Sequence, residues 1–231
     1  MANFPSNNAA FPQAGIDSRS VFITRTYTHL VAGILGFILV ELGLFESGLA
    51  LQIARFMLGF NWMLILGAFM LTGWLASRTA QTSNSIGMQY FAYGVYVVAE
   101  ALIFVPLLYI ADAKAPGTID SATLVTALGA GGLMIVAHRT RKDFSFLRAI
   151  LMWGFILAML AIVGGLIFGF QLGTWFSVAM IGFAGAAVLY DTSNIILHYP
   201  EDRYVSAAMQ LFASIALMFW YVLRLMMGNR S

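Results

Sequence analysis

Apolar positions run through this chain in seven long windows, at about 26–50, 55–77, 86–111, 118–138, 146–169, 174–197 and 204–227. Each is long enough to cross the ~30 Å hydrocarbon core of a bilayer as a helix, and far longer than the ~10 residues that a barrel strand needs. The pattern predicts an all-α membrane protein, a bundle of seven transmembrane helices with short loops and no separate soluble domain. No internal repeat is visible, which argues against an inverted-repeat transporter. Pro106 falls inside the third window, where a missing backbone donor predicts a local kink. Small residues predict close-packed helix faces at Gly33 and Gly36, at Gly129, Gly131 and Gly132, and at Gly182 with Ala186. Gly165 and Gly169 form a GxxxG match, read as packing inside the bundle.

Composition agrees. Of 231 residues, 61% are hydrophobic and only 10% are charged, against about 25% charged in ordinary soluble domains. A net charge of +2 gives no case for nucleic acid as a partner. The chain has no cysteine, which excludes disulfides, thiolate metal sites and cysteine nucleophiles. Residues 1–20 lack a basic stretch followed by an apolar one, so they do not read as a signal peptide. They read as a flexible cytoplasmic tail ahead of a membrane domain at 21–231. With the N-terminus inside, the inner loops and helix ends hold Arg19, Arg25, Arg78, Arg139, Arg141, Lys142, Arg148 and Arg203. The outer side holds Arg55, Lys114, Arg224 and Arg230. That excess favours N-in and, with seven crossings, C-out.

Three carboxylates interrupt the apolar windows: Glu41, Glu100 and Asp191. The first 17 residues of 174–197 are uncharged, and Asp191 follows before the apolar character ends. An ionisable residue there costs roughly 2.5–3.5 kcal/mol by insertion scales. Asp191 is either a polar anchor near the headgroups or a buried carboxylate in a gate or ion path. Glu100 lies near the midplane, and it is either a neutral, protonated carboxyl hydrogen-bonded inside the bundle or part of a gate or ion path. Glu41 is expected at the outer interface, with access to water. Arg78 ends the second window at a depth similar to that of Asp191, so its side chain could reach that carboxylate. His29, His138 and His198 show no convergent ligand spacing and no HExxH, so no metal is expected. Nucleotide-binding loops, a GxSxG elbow and a paired nucleophile and base are all missing. The chain does not read as an enzyme, and no cofactor is expected.

Three blocks carry a family resemblance: Thr140-Arg-Lys-Asp-Phe-Ser-Phe-Leu147, Ala187-Val-Leu-Tyr-Asp-Thr-Ser-Asn-Ile-Ile196 and Tyr204-Val-Ser-Ala-Ala208. With the seven windows, they resemble the Bax inhibitor-1 family, and within it the bacterial YccA-like branch. The resemblance implies a seven-helix bundle around a central helix, in the bacterial inner membrane. It also implies a partnership with the membrane AAA protease FtsH, as substrate and modulator. Members with leak activity are similar in having two aspartates that form a proton-sensitive pair closing a calcium path. Asp191 matches the first, whereas Ser214 stands at the second. The pairing of like charges is then missing, which leaves conduction of Ca2+ or H+ as the alternative reading, with Asp191, Arg78, Glu100 and Ser214 as candidate residues. Arg78 resembles the family's arginine that latches this aspartate.

Overall fold

A computed structural model describes residues 10–228, with side chains from Ser18 onward. Its helices are α1 (Ala10–Glu46), α2 (Leu49–Gly59), α3 (Trp62–Thr82), α4 (Ile86–Lys114), α5 (Thr118–Thr140), α6 (Leu147–Phe168), α7 (Thr174–Leu197) and α8 (Tyr204–Gly228). Seven are long and apolar enough to cross a membrane: Ser18–Glu46 within α1, and α3 to α8. The fold is therefore all-helical, as the windows predict.

The second window is corrected. It covers the end of α2 and most of α3, and only α3 spans. α2 has 11 residues, a length of ~16 Å, about half the hydrocarbon core. Gly48, at φ 75°, turns the chain between α1 and α2 in a left-handed conformation that glycine adopts without strain. Asn61 then starts α3 afresh, its side chain accepting from the Met63 N–H at 2.9 Å. Apolar residues on both sides of these two caps hide the break from a hydropathy pattern.

The reading of residues 1–20 as a tail is also corrected. Helix α1 begins at Ala10, and Arg19 is docked on the far end of α7, as described below. Residues 1–9 lie outside the described residues.

Helix α8 is the hub, packing against α1, α3, α4, α5 and α7. Buried positions occur on all of its sides: Val205, Ala207, Ala208, Leu211 and Leu223 are fully enclosed. A helix apolar all round is what a bundle centre requires. Helix α6 is the opposite case. Ala158 is its one buried residue, and it lies mainly on α7. Its remaining surface suits lipid.

The small residues divide into two groups. A Cβ on Gly33 would stand 1.9 Å from the Tyr93 hydroxyl, and one on Gly129 would stand 3.0 Å from Met218 Cε, so these glycines do permit close helix approach. Gly131, Gly132 and Gly182 face open space. The GxxxG match has another role: Gly169, at φ 74°, ends α6, its N–H donating to the Gly165 carbonyl at 2.9 Å. The motif is a helix stop. Helix α4 runs through Pro106 without interruption.

Contacts between helix ends define two faces of the bundle. One gathers Arg19, the α3–α4 turn, residues 142–145 and the α7–α8 turn, joined by the hydrogen bonds from Arg19, Arg203 and Ser193. The other holds α2, the α4–α5 turn and the α6–α7 loop, where Arg224 donates to the Leu172 carbonyl at 2.8 Å. The crossings alternate between these faces.

Candidate functional site

Along α7, Ala184, Val188, Asp191 and Ile195 are buried at helical spacing, forming a stripe that α8 covers. Asp191 is 4% exposed. Two donors on one face of α8, four residues apart, meet its carboxylate. Gln210 Nε2 donates to Oδ1 at 2.6 Å, and Ser214 Oγ donates to Oδ2 at 2.5 Å. Each carboxylate oxygen thus has a neutral donor, which offsets part of the cost of burying it. The neighbouring Thr192 satisfies itself, its hydroxyl donating to the Val188 carbonyl at 2.7 Å.

Ser214 therefore stands beside Asp191, and Arg78 does not. The Arg78 guanidinium lies 5.4 Å above the Trp74 ring on its own helix, exposed, and no ion pair joins it to Asp191 among the described residues. The expected latch is corrected. Depth along the membrane normal placed Arg78 near Asp191, but α3 presents that side chain outward. Gln210 is the partner that the sequence reading missed. Its signal was its position, one helical turn before Ser214 on the same face.

Glu100, on α4, is 6% exposed and accepts from the Tyr96 hydroxyl at 2.7 Å, one turn away. It borders a cavity of about 680 Å³ lined by α3, α4, α6, α7 and α8 and open on one side, and Ser214 lines the same space. Ser214 thus touches both Asp191 and the cavity that holds Glu100. Gln171 and Arg224 add polar groups to its lining.

Glu41 is not at a wet interface. It is 7% exposed, and neither carboxylate oxygen has a hydrogen-bond partner. An unpaired buried polar group costs ~1–3 kcal/mol by mutational data. Glu41→Leu is therefore expected to raise stability by about that amount in a thermal melt in detergent. A loss of stability would instead show that the carboxyl has a partner.

On the Arg19 face, the end of α7 is held from two sides. The Arg19 guanidinium donates to the carbonyls of Ile195 (2.6 Å), Ile196 (3.0 Å) and Tyr199 (2.5 Å). Ser193 donates to the Lys142 carbonyl at 2.9 Å and accepts from the Phe144 N–H at 3.2 Å. Arg203 donates to the Ser83 carbonyl and, at 3.2 Å, to Asn84 Oδ1, tying α8 to the α3–α4 turn. In the loops, hydrogen bonds from Ser145 hold the Asp143 carboxyl below its ordinary pKa, and burial pushes the Tyr199 phenol up. His198 lies 3.5 Å from Asp143, His138 is exposed, and His29 bonds the Tyr90 hydroxyl at 3.0 Å. The three histidines are thus separate, and among the described residues no three metal-ligating side chains converge.

The blocks that carry the resemblance build this site: 187–196 supplies Asp191 and Ser193, 140–147 supplies the Lys142–Ser145 turn, and 204–208 opens the hub helix. Residues 19–231 match the family described as "Inhibitor of apoptosis-promoting Bax1". The chain belongs to the Bax inhibitor-1 family. It is similar to the uncharacterized protein PA2604 of Pseudomonas aeruginosa, 35% identical over 121 residues, which are 51% of this chain and 53% of the relative. It is also similar to "Modulator of FtsH protease YccA" of Escherichia coli, 32% identical over 99 residues, or 39% of this chain and 45% of the relative. The same values hold for an "Inner membrane protein YccA" from another Escherichia coli strain. The chain spans about half the length of the curated relatives it matches.

Proposed function

We propose that this protein is a non-enzymatic partner of the membrane protease FtsH, modulating it and serving as its substrate, in a bacterial inner membrane with the N-terminus in the cytoplasm. The observation that carries this reading is the likeness to the Escherichia coli modulator of FtsH. The charge distribution supports the orientation, since the Arg19 face has eight of the twelve basic residues. Single cysteines are clean probes in a cysteine-free chain. Ser85→Cys is expected to label only from the cytoplasmic side and Ser47→Cys only from the opposite side. Reversed labelling would overturn N-in.

In this reading, the N-terminal segment is what an ATP-driven unfoldase grips, and the bundle resists extraction. Deletion of residues 2–16, which removes the first turns of α1 but leaves Arg19, is expected to slow degradation by FtsH in proteoliposomes severalfold without changing the melting temperature. Unchanged turnover would remove the segment from the mechanism. Absence of any binding, turnover or effect on FtsH would remove the reading.

One observation favours a second reading, a cation leak: Ser214 bonds Asp191 and borders the cavity that holds Glu100. Calcium entry into proteoliposomes, compared for the wild type and Asp191→Asn, tests it. Equal flux in protein-free liposomes would exclude it.

A further inference from the structure

Helices α3 and α6 line the 680 Å³ cavity from opposite sides without packing on each other. Its walls are mainly apolar, with Phe69, Met159, Leu166 and Trp220 among them. The polar groups at its deep end are already paired, Glu100 with Tyr96 and Ser214 with Asp191. From Ser214 the cavity follows α8 to Arg224, ten residues or ~15 Å. That is half the ~30 Å hydrocarbon core, the depth that one acyl chain covers.

At Arg224 the environment changes. Arg224 and Leu172 also border a second cavity, of about 430 Å³, on the same face. Lys114, Thr174 and Ser177 line it with them. Ser177 is 2% exposed, and its hydroxyl makes no hydrogen bond among the described residues. The cavity contains the start of α7, a 24-residue helix whose first turn no side chain caps. Its free N–H groups and the positive end of its dipole suit an anion. Neither Arg224 nor Lys114 forms an ion pair among the described residues. Two cations, an unbonded hydroxyl and a helix N-terminus thus surround one cavity, and an apolar slot one leaflet deep opens beside it.

We propose that this is a site for an anionic phospholipid of the surrounding bilayer, with one acyl chain between α3 and α6 and its phosphate between Arg224, Lys114 and the start of α7. Lipid tails are as apolar as the cavity wall, so the chain gains little by leaving the bilayer. Selection must come from the headgroup. The occupied slot also closes the space beside Ser214 and Glu100 to water. This inference is independent of the protease reading.

The test uses the full chain with Trp220 as the one remaining tryptophan, the other four replaced by phenylalanine, in bilayers doped with brominated lipid. Trp220 packs edge-on to Phe104 at 4.9 Å between ring centres, inside the cavity. Brominated phosphatidylglycerol is expected to quench it at roughly fivefold lower mole fraction than brominated phosphatidylcholine, the effect of one basic residue near a membrane surface. Arg224→Gln is expected to abolish the preference and Arg224→Lys to keep most of it. No quenching by either lipid, or equal quenching by both, would overturn the proposal. Should the tryptophan replacements unfold the protein, mass spectrometry of lipids retained by the unmodified protein decides. Enrichment of phosphatidylglycerol over its share in the membrane supports the site, and bulk composition overturns it.

Discussion

Ser214→Ala and Gln210→Ala are each expected to lower stability by about 1.5–3 kcal/mol, the range for hydrogen bonds to charged groups. Both act on one carboxylate, 4% exposed, whose two oxygens each accept from one of them. Removing a donor leaves a buried acceptor without a partner, which costs more than the bond contributes in net terms. The effect must therefore depend on Asp191. In a double-mutant cycle with Asp191→Ala, the loss from Ser214→Ala should largely vanish, with a coupling of about 1–3 kcal/mol measured by thermal or denaturant unfolding in detergent. Arg78→Ala is the contrasting case. Arg78 is exposed and packs on Trp74, so its replacement should stay within about 0.5 kcal/mol and add independently to Asp191→Ala. A strong Arg78–Asp191 coupling with an additive Ser214–Asp191 pair would reverse the assignment of partners.

That contrast shows what the sequence could and could not convey about the site. Apolar length predicts seven crossings because the bilayer sets one thickness for every span. The register that sets Ser214 beside Asp191 came from the family resemblance, and the hydrogen bond at 2.5 Å shows the same adjacency. Arg78 was placed by depth alone, and depth carries no information on which way a side chain points around its helix. Glu41 failed for a related reason. Being near a helix end suggests water, yet α1 turns that residue inward, to 7% exposure. The breaks between α1 and α2 and between α2 and α3 depend on Gly48 and Asn61, single caps between apolar stretches. Arg19 had no sequence signal at all, because its hydrogen-bond partners are backbone carbonyls, which every residue has.

Arg19→Met is expected to destabilise the bundle by about 2–4 kcal/mol, through loss of charge-assisted hydrogen bonds at a helix C-terminus. The last carbonyls of a helix have no partner within it, and here those of Ile195 and Ile196 accept from Arg19 near the opposite end of the chain, 177 residues away in the case of Ile196. Methionine keeps much of the apolar stem and removes the guanidinium, which also lies over the Phe22 ring at 4.9 Å, so the substitution isolates the polar head. Arg19→Lys should recover only part of the loss, since an ammonium cannot reproduce the planar fork that reaches three carbonyls at once. Hydrogen exchange should locate the change, with faster exchange at His198 and Tyr199, whose N–H groups bond the Asn194 carbonyl at 2.8 Å. The same bonds fasten the start of the first span to the helix that bears Asp191. A protease pulling on the N-terminus must break them before α1 can leave. Arg19→Met should then be degraded faster than wild type even though the segment ahead of it is unchanged. Unaltered melting and exchange would show that water replaces the guanidinium at no cost, and α1 would be held by its apolar packing alone.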